Sequence, residues 1–266
     1  MRLVYYNENN RHASTWLREL MADGLIAEGV VDERNIEDVQ AAELREFTQC
    51  HFFAGIGGWS RALRLARWPD SEPVWTGSCP CQPFSCAGAG RGFDDERHLW
   101  PEWFRLIEEC RPATVFGEQV EAAVRRGSGI ESWLDLVSSD LGSAGYAAWA
   151  AVFPAVCVGA PHLRERLYFV ADSGGVGRAQ ECQSVRDGVV DGFWSDADWV
   201  PCPDGKRRAV KPGVRPLVDG LPGGVDLLRG AGNAIVPQQA AEFIQAFVEA
   251  CWSEGASPGC STIAPG

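Results

Sequence analysis

Seven short apolar runs, separated by stretches with helical periodicity, constrain this chain more than any other feature of its sequence. They are Leu3–Tyr6, Val30–Val31, Gln49–Phe53, Val74–Gly77, Thr114–Phe116, Ala148–Phe153 and Leu167–Val170. Between them, apolar residues recur three and four positions apart: Trp16, Leu17, Leu20 and Met21; Trp59, Leu63 and Ala66; Leu99, Trp103, Leu106 and Ile107; Trp133, Val137 and Leu141. Short apolar runs bounded by turns read as strands, and the 3.6-residue period reads as a helix with one buried face. Strands and helices in alternation bury both kinds of face in one arrangement, a mostly parallel sheet with helices on both sides. The expected class is therefore α/β.

The texture changes at Asp172. From there to about Asp226, Gly, Pro and Asp dominate and helical spacing disappears, so residues 172–226 read as a small irregular insert. Ile244, Phe247, Val248 and Cys251 then mark a closing helix within residues 227–253, and residues 254–266 read as a flexible tail. Residues 1–171 form the main domain. Its first part, 1–48, reads as strand, helix, strand and short helix, and 49–171 carries the rest. A chain of 266 residues that is 45% apolar can bury one sizeable core of this kind. No apolar run is long enough to cross a membrane, and Met1-Arg2-Leu3 does not open a signal peptide, so a cytoplasmic chain with reduced cysteines is expected. The net charge of −12 disfavours a nucleic-acid partner. A local basic surface can override net charge, and Lys206, Arg207, Arg208, Lys211 and Arg215 cluster inside the insert.

Two short stretches carry candidate chemistry. "FFAGIGGW" follows a strand and opens a helix, and its glycines allow a tight turn that leaves room for a ligand. It lacks the GxGxxG spacing of dinucleotide-binding turns. "TGSCPCQPFS" places Cys79, Cys81 and Cys86 beyond the end of a strand. These do not pair as zinc ligands do, because no second cysteine or histidine pair accompanies them; no metal is expected. A proline-stiffened loop past a strand's carboxyl end is where open α/β sheets place ligands and chemistry.

These two stretches resemble the first and fourth signature motifs of DNA (cytosine-5)-methyltransferases of bacterial and phage type. Three more follow in the family's order: "FGEQV" with Glu118, "PHLRERLYFVA" with Arg164 and Arg166, and "GNAIVP" with Asn233 and Ala234. The resemblance implies a Rossmann-like methyltransferase fold and S-adenosylmethionine as cofactor, leaving S-adenosylhomocysteine. It implies that Cys81 is the nucleophile and that Glu118, Arg164 and Arg166 assist it. Phe53, Ala54, Gly55, Ile56, Gly57, Gly58, Pro80, Asn233 and Ala234 would border the cofactor. Gln82 and Ser85 would face double-stranded DNA. The insert holds the family's target-recognition position, so its five basic residues would contact DNA as well. A flipped cytosine is implied, because the base cannot react inside the stack. A monomer is expected, with a cognate restriction nuclease as a potential companion. The same chemistry on RNA, an inactive relative and a dinucleotide oxidoreductase with a redox thiol are the alternatives; intact Cys81, Glu118, Arg164 and Arg166 disfavour inactivity.

The chain departs from the family pattern in one large respect. Only 19 residues, Trp59 to Gly77, separate the glycine turn from Ser78. Each parallel crossover needs about a dozen residues, so the two strand–helix units that the family inserts there do not fit. "VYYNENNRHASTWLREL" and "VDERNIEDV" resemble the missing second and third motifs, displaced to the N-terminus. The displacement implies Glu8 at the ribose hydroxyls and Asn35-Ile36 or Asp32 near the adenine, with Asp38 also open. Gln119 and His162 stand where the family has Asn and Gln, positions that support loops.

Overall fold

The computed structural model describes residues 4–80, 99–124, 132–160, 163–174, 198–201, 207–210 and 234–253. Seven strands form one sheet in the order β2-β1-β3-β4-β5-β7-β6. They are β1 (Val4–Asn7), β2 (Gly29–Asp32), β3 (Gln49–Phe52), β4 (Val74–Gly77), β5 (Thr114–Val120), β6 (Ala147–Pro154) and β7 (Glu165–Asp172). The first five pair in parallel, and β7 runs antiparallel to both β5 and β6. The α/β expectation therefore holds, and residues 1–48 supply the sheet's outer pair, β1 and β2, beside the strand that enters the glycine turn.

Strict alternation along the strands assigns the helices to faces. Tyr5, Trp75, Val115, Leu167 and Phe169 point into one core with α2 (Ala41–Leu44), α4 (Trp100–Cys110) and α5 (Trp133–Ser143). Their neighbours Val74, Phe116, Tyr168 and Val170 point the other way, against α3 (Gly58–Leu65) and α6 (Pro237–Ser253). Val4 and Tyr6 share that second face with Leu17 of α1 (Arg11–Ala22). Period-2 strands thus meet period-3.6 helices on both sides. The first core is aromatic: Trp100, Trp103 and Trp133 are fully buried around Phe169. Each fully buried ring of this size contributes roughly 2–3 kcal/mol.

Local chemistry sets the ends of the helices. Asn10 caps α1, its side-chain oxygen accepting the N–H groups of His12 and Ala13 at 3.0 and 3.2 Å. Ser132 and Asp135 form a reciprocal capping box at the start of α5.

Two expectations need correction. The strand read as Thr114–Phe116 continues to Val120, because β7 pairs with it throughout, from Thr114↔Asp172 to Val120↔Arg166. Glu118 therefore sits within a strand. The insert is not irregular throughout. Asp198–Pro201 (β8) and Arg207–Val210 (β9) pair antiparallel, so Arg207 and Arg208 lie on a strand, not in a loop. Lys206, Lys211 and Arg215 lie outside the described residues, as do Cys81, Gln82, Ser85, His162 and Asn233. Among the described residues, no helix is long and apolar enough to cross a membrane, and no His, Cys, Asp and Glu group together as metal ligands would.

Candidate active site

The carboxyl ends of β1, β3, β4 and β5 converge, with two clusters of polar groups along them. One is a cavity of about 240 Å³ above β1, β2 and β3. It is walled by Asn7, Glu8, Asn9, Arg34, Asn35, Ile36, Glu37, Phe53, Pro80 and Leu99. Five of the predicted residues line it: Glu8, Asn35, Ile36, Phe53 and Pro80. Both Glu8 oxygens are engaged, accepting the backbone N–H of Asn10 at 2.9 Å and of Gly55 at 2.7 Å. Glu8 thereby ties the end of β1 to the glycine turn that follows β3.

The glycine turn serves two ends. Gly57 has φ +76, a conformation that favours glycine, and a Cβ there would meet Ile26 Cδ1 at 3.1 Å and Leu17 Cδ2 at 3.2 Å. Gly58 packs against Ile235, which a Cβ would meet at 2.6 Å. These two, with Ala54, Gly55 and Ile56, are not among the lining residues; of the three glycines in the turn, Gly55 is the one where a Cβ would meet nothing within 4 Å.

Asp32, one candidate for the adenine, is occupied elsewhere. It accepts Tyr5 Oη–H at 2.8 Å and is clasped by Arg34 through Nε and Nη2, which holds it below the usual carboxylate range despite partial burial. That clasp fixes the bend carrying Asn35 and Ile36, and Asn9 Nδ2 donates to Asn35 Oδ1 at 3.0 Å across the rim. Asp38 is not among the lining residues. Asn9, Arg34 and Glu37 are wall residues that lie within the two displaced stretches without being singled out there, and Leu99 reads in the sequence only as a helix position.

The second cluster surrounds Glu118. Its side chain is 8% exposed, and Oε1 meets Arg166 Nε at 2.9 Å. Burial pushes this carboxyl above the usual range, against the pull of Arg166, Arg164 and a hydrogen bond from Ser78. Cross-strand pairing explains the meeting: Val120 opposes Arg166 and Glu118 opposes Tyr168, so Glu118 and Arg166 are diagonal neighbours. Arg164 precedes β7 with φ +27 and donates from Nη2 to the Ala234 carbonyl at 2.6 Å. Ala234, expected beside the cofactor, thus anchors an arginine. Gln119 donates from Nε2 to the Cys79 carbonyl at 3.2 Å, bracing the segment that leads to Cys81. Trp59 Nε1 donates to Ser78 Oγ at 3.0 Å.

Comparison with known proteins bears on this arrangement. Residues 68–177 match the family model described as C-5 cytosine-specific DNA methylase. The chain is 33% identical over 102 residues to the type II methyltransferase M.NgoMIV of Neisseria gonorrhoeae, covering 38% of this chain and 32% of that one. It is 33% identical over 103 residues to the type II methyltransferase M.HhaI of Haemophilus parahaemolyticus, covering 38% and 31%. The alignments span about a third of the length of these curated relatives. Among solved structures, DNMT2 of Spodoptera frugiperda superposes with a TM-score of 0.43 at 16% identity, over 69% of this chain and 45% of that one. The matched stretch, residues 68–177, spans Glu118, Arg164 and Arg166, and over that stretch the chain is similar to C-5 cytosine-specific DNA methylases.

Proposed function

We propose that this chain transfers a methyl group from S-adenosylmethionine to carbon 5 of a flipped cytosine in double-stranded DNA, through a covalent adduct at Cys81. The observation that carries the reading is the buried Glu118–Arg166 pair, 2.9 Å apart, beside the Ser78–Pro80 segment that runs into Cys81.

The chemistry asks for these groups. Carbon 5 of cytosine is a weak nucleophile until a thiolate adds to carbon 6. Cys81 is the residue proposed to supply the thiolate, a form that a cationic pocket would favour. Addition drives negative charge onto the ring. A carboxyl kept protonated by burial can hold ring nitrogen 3, which is the role given to Glu118. Arg166 holds the carboxyl in place, and Arg166 and Arg164 would present guanidinium donors to the ring carbonyl. Once carbon 5 has formed its bond to the methyl group, its proton is lost to solvent, the carbon–hydrogen bonding electrons return to the ring and Cys81 is expelled as thiolate.

The cavity suits the cofactor. A carboxylate at Glu8 is matched to ribose hydroxyls, while Ile36, Phe53 and Leu99 offer apolar contact for a purine. With Asp32 clasped by Arg34 and Asp38 away from the wall, Asn35 and Ile36 are the residues that would meet the adenine. S-adenosylmethionine, when bound, supplies the electrophilic methyl group. Arg207 and Arg208 on β9, with Lys206, Lys211 and Arg215, would contact DNA phosphates. A monomer acting in the cytoplasm, alone or with a cognate nuclease, completes the reading.

Bisulfite sequencing of DNA from cells expressing the chain tests it. New 5-methylcytosine at a defined site is expected with the wild type and none with Cys81→Ser. No new mark with a folded wild-type chain would refute the activity, and a mark persisting in Cys81→Ser would refute the nucleophile.

A further inference from the structure

Gln239 lies two residues beyond the last of the five motifs, in the first turn of α6, and no motif assigns it a role. It is fully buried. Its neighbours on α6, Ala240, Phe243, Ile244 and Phe247, pack into the apolar core between α3 and the sheet. An amide among them carries a desolvation cost that an aliphatic side chain would not. Two directed bonds offset it. Nε2 donates to the Phe153 carbonyl at 2.6 Å, and Oε1 accepts the Tyr168 hydroxyl at 3.4 Å. A carbonyl only accepts, so the NH2 end must face Phe153 and the amide cannot turn over.

The two bonded residues hold particular places in the sheet. Phe153 stands directly opposite Arg166 in the β6–β7 ladder, and Tyr168 stands directly opposite Glu118 in the β5–β7 ladder. Gln239 therefore grips the cross-strand partner of each member of the buried Glu118–Arg166 pair. The same stretch of chain reaches Arg164. The Ala234 carbonyl, five residues before Gln239, accepts from Arg164 Nη2 at 2.6 Å. The Ala155 N–H, two residues after Phe153, is shared by the carbonyls of Leu163 and Arg164 at 2.8 and 3.3 Å. Arg164 has φ +27, a backbone conformation that an arginine keeps only when its surroundings hold it.

We propose that Gln239 is a positioning residue: it pins the start of α6 to β6 and β7, and so fixes Glu118, Arg166 and Arg164 as one unit. Apolar packing is non-directional and would let α6 slide against the sheet; hydrogen bonds set its register. Tyr168 is a dependable donor in this clamp, because burial pushes its hydroxyl up and keeps it a neutral phenol. That the three clamped groups act on a cytosine rests on the functional reading above. The clamp itself does not.

The test separates the two. In the full chain, the Arg166 Nε–H signal is followed by proton–nitrogen NMR and identified by its loss in Arg166→Lys. Gln239→Met keeps the length of the side chain without its hydrogen bonds. Exchange of the Arg166 Nε–H with water should then speed up about fivefold, the loosening expected from one lost hydrogen bond. Ile244→Val trims the same helix at a fully buried position and also lowers stability, yet it should leave that exchange rate unchanged. In methyl-transfer assays, Gln239→Met should lower kcat by a similar factor. KM for S-adenosylmethionine should not move, because Gln239 is not in the cavity wall. An unmoved exchange rate in Gln239→Met, or an equal rise in Ile244→Val, overturns the proposal. Should Gln239→Met fail to fold, Tyr168→Phe decides by the same criterion, with a rise of about twofold expected for its longer hydrogen bond. A folded wild-type chain that methylates no DNA overturns the functional reading, while the exchange rates still decide the role of Gln239.

Discussion

Gly117 lies opposite Phe169 in the antiparallel pairing of β5 and β7, one residue before Glu118. A Cβ at this position would lie 2.0 Å from Phe169 Cε1 and 2.1 Å from Cζ, far inside van der Waals contact. The ring has no easy retreat. It is 1% exposed, with Trp100, Trp103 and Trp133 at centroid distances of 6.3, 6.3 and 6.0 Å. Gly117→Ala must therefore move backbone or displace several rings. Overpacking of this kind costs roughly 1–3 kcal/mol, and the rigid surroundings favour the upper half. The stiffer unfolded chain of an alanine variant offsets about 0.5 kcal/mol, leaving a net loss of about 2 kcal/mol. Urea unfolding followed by tryptophan fluorescence measures it. Phe169→Leu shortens the side chain at the point of collision, so Gly117→Ala/Phe169→Leu should be more stable than the sum of the single losses predicts, by about 1 kcal/mol or more. A Gly117→Ala chain as stable as wild type, or strictly additive losses, would refute the steric argument.

The remaining predictions concern His51 and Glu8. His51 is buried on β3, its Nδ1 2.7 Å from Thr76 Oγ1 and its Nε2 without a hydrogen-bond partner, and burial lowers its pKa to about 3. The unfolded chain, with an ordinary imidazole near 6.5, then binds the proton more readily than the folded one. Stability contributed by neutral His51 is present above that value and is lost as pH falls below it, by about 1.4 kcal/mol at pH 5.5. Urea midpoints across this range should fall less steeply in His51→Gln; parallel slopes would count against the reasoning. Glu8→Gln keeps one acceptor oxygen where two backbone N–H groups now bond. It should cost about 1 kcal/mol of stability and weaken S-adenosylhomocysteine binding by about tenfold, as read by calorimetry. Undiminished affinity would remove Glu8 from the cofactor site.

What was legible in the sequence follows from the range of the physics involved. Strand and helix identities depend on local periodicity, so Tyr5 and Val4, or Phe116 and Val115, announce opposite faces without any structure. Glu118 and Arg166 are visible through their motifs, but their 2.9 Å contact is set by the β5–β7 register, which no local pattern specifies. The same holds for the cavity wall. Arg34 and Glu37 belong to a quoted stretch that gives them no role, and they become wall residues because β2 ends level with β1, Asn7 opposite Asp32. Among Asp32, Asn35 and Asp38, the sequence offers three equal acidic or amide candidates. Tyr5 and Arg34 withdraw Asp32 from consideration through contacts spanning 27 and 2 residues. Trp59 is correctly a core residue by periodicity, yet periodicity is blind to where an indole N–H points.

The order β2-β1-β3 has a consequence for how the molecule assembles. Eight of the ten cavity residues lie between Asn7 and Phe53, so nearly the whole wall is contained in one short contiguous stretch of chain. Closing its strand pairs needs only loops of modest length, which is entropically favourable. During synthesis this stretch leaves the ribosome before Glu118, Arg164 and Arg166 have been made. The pocket assigned to the cofactor should therefore be able to form early, and a ligand captured there could serve as a nucleus around which the later strands, and the reactive groups they carry, condense.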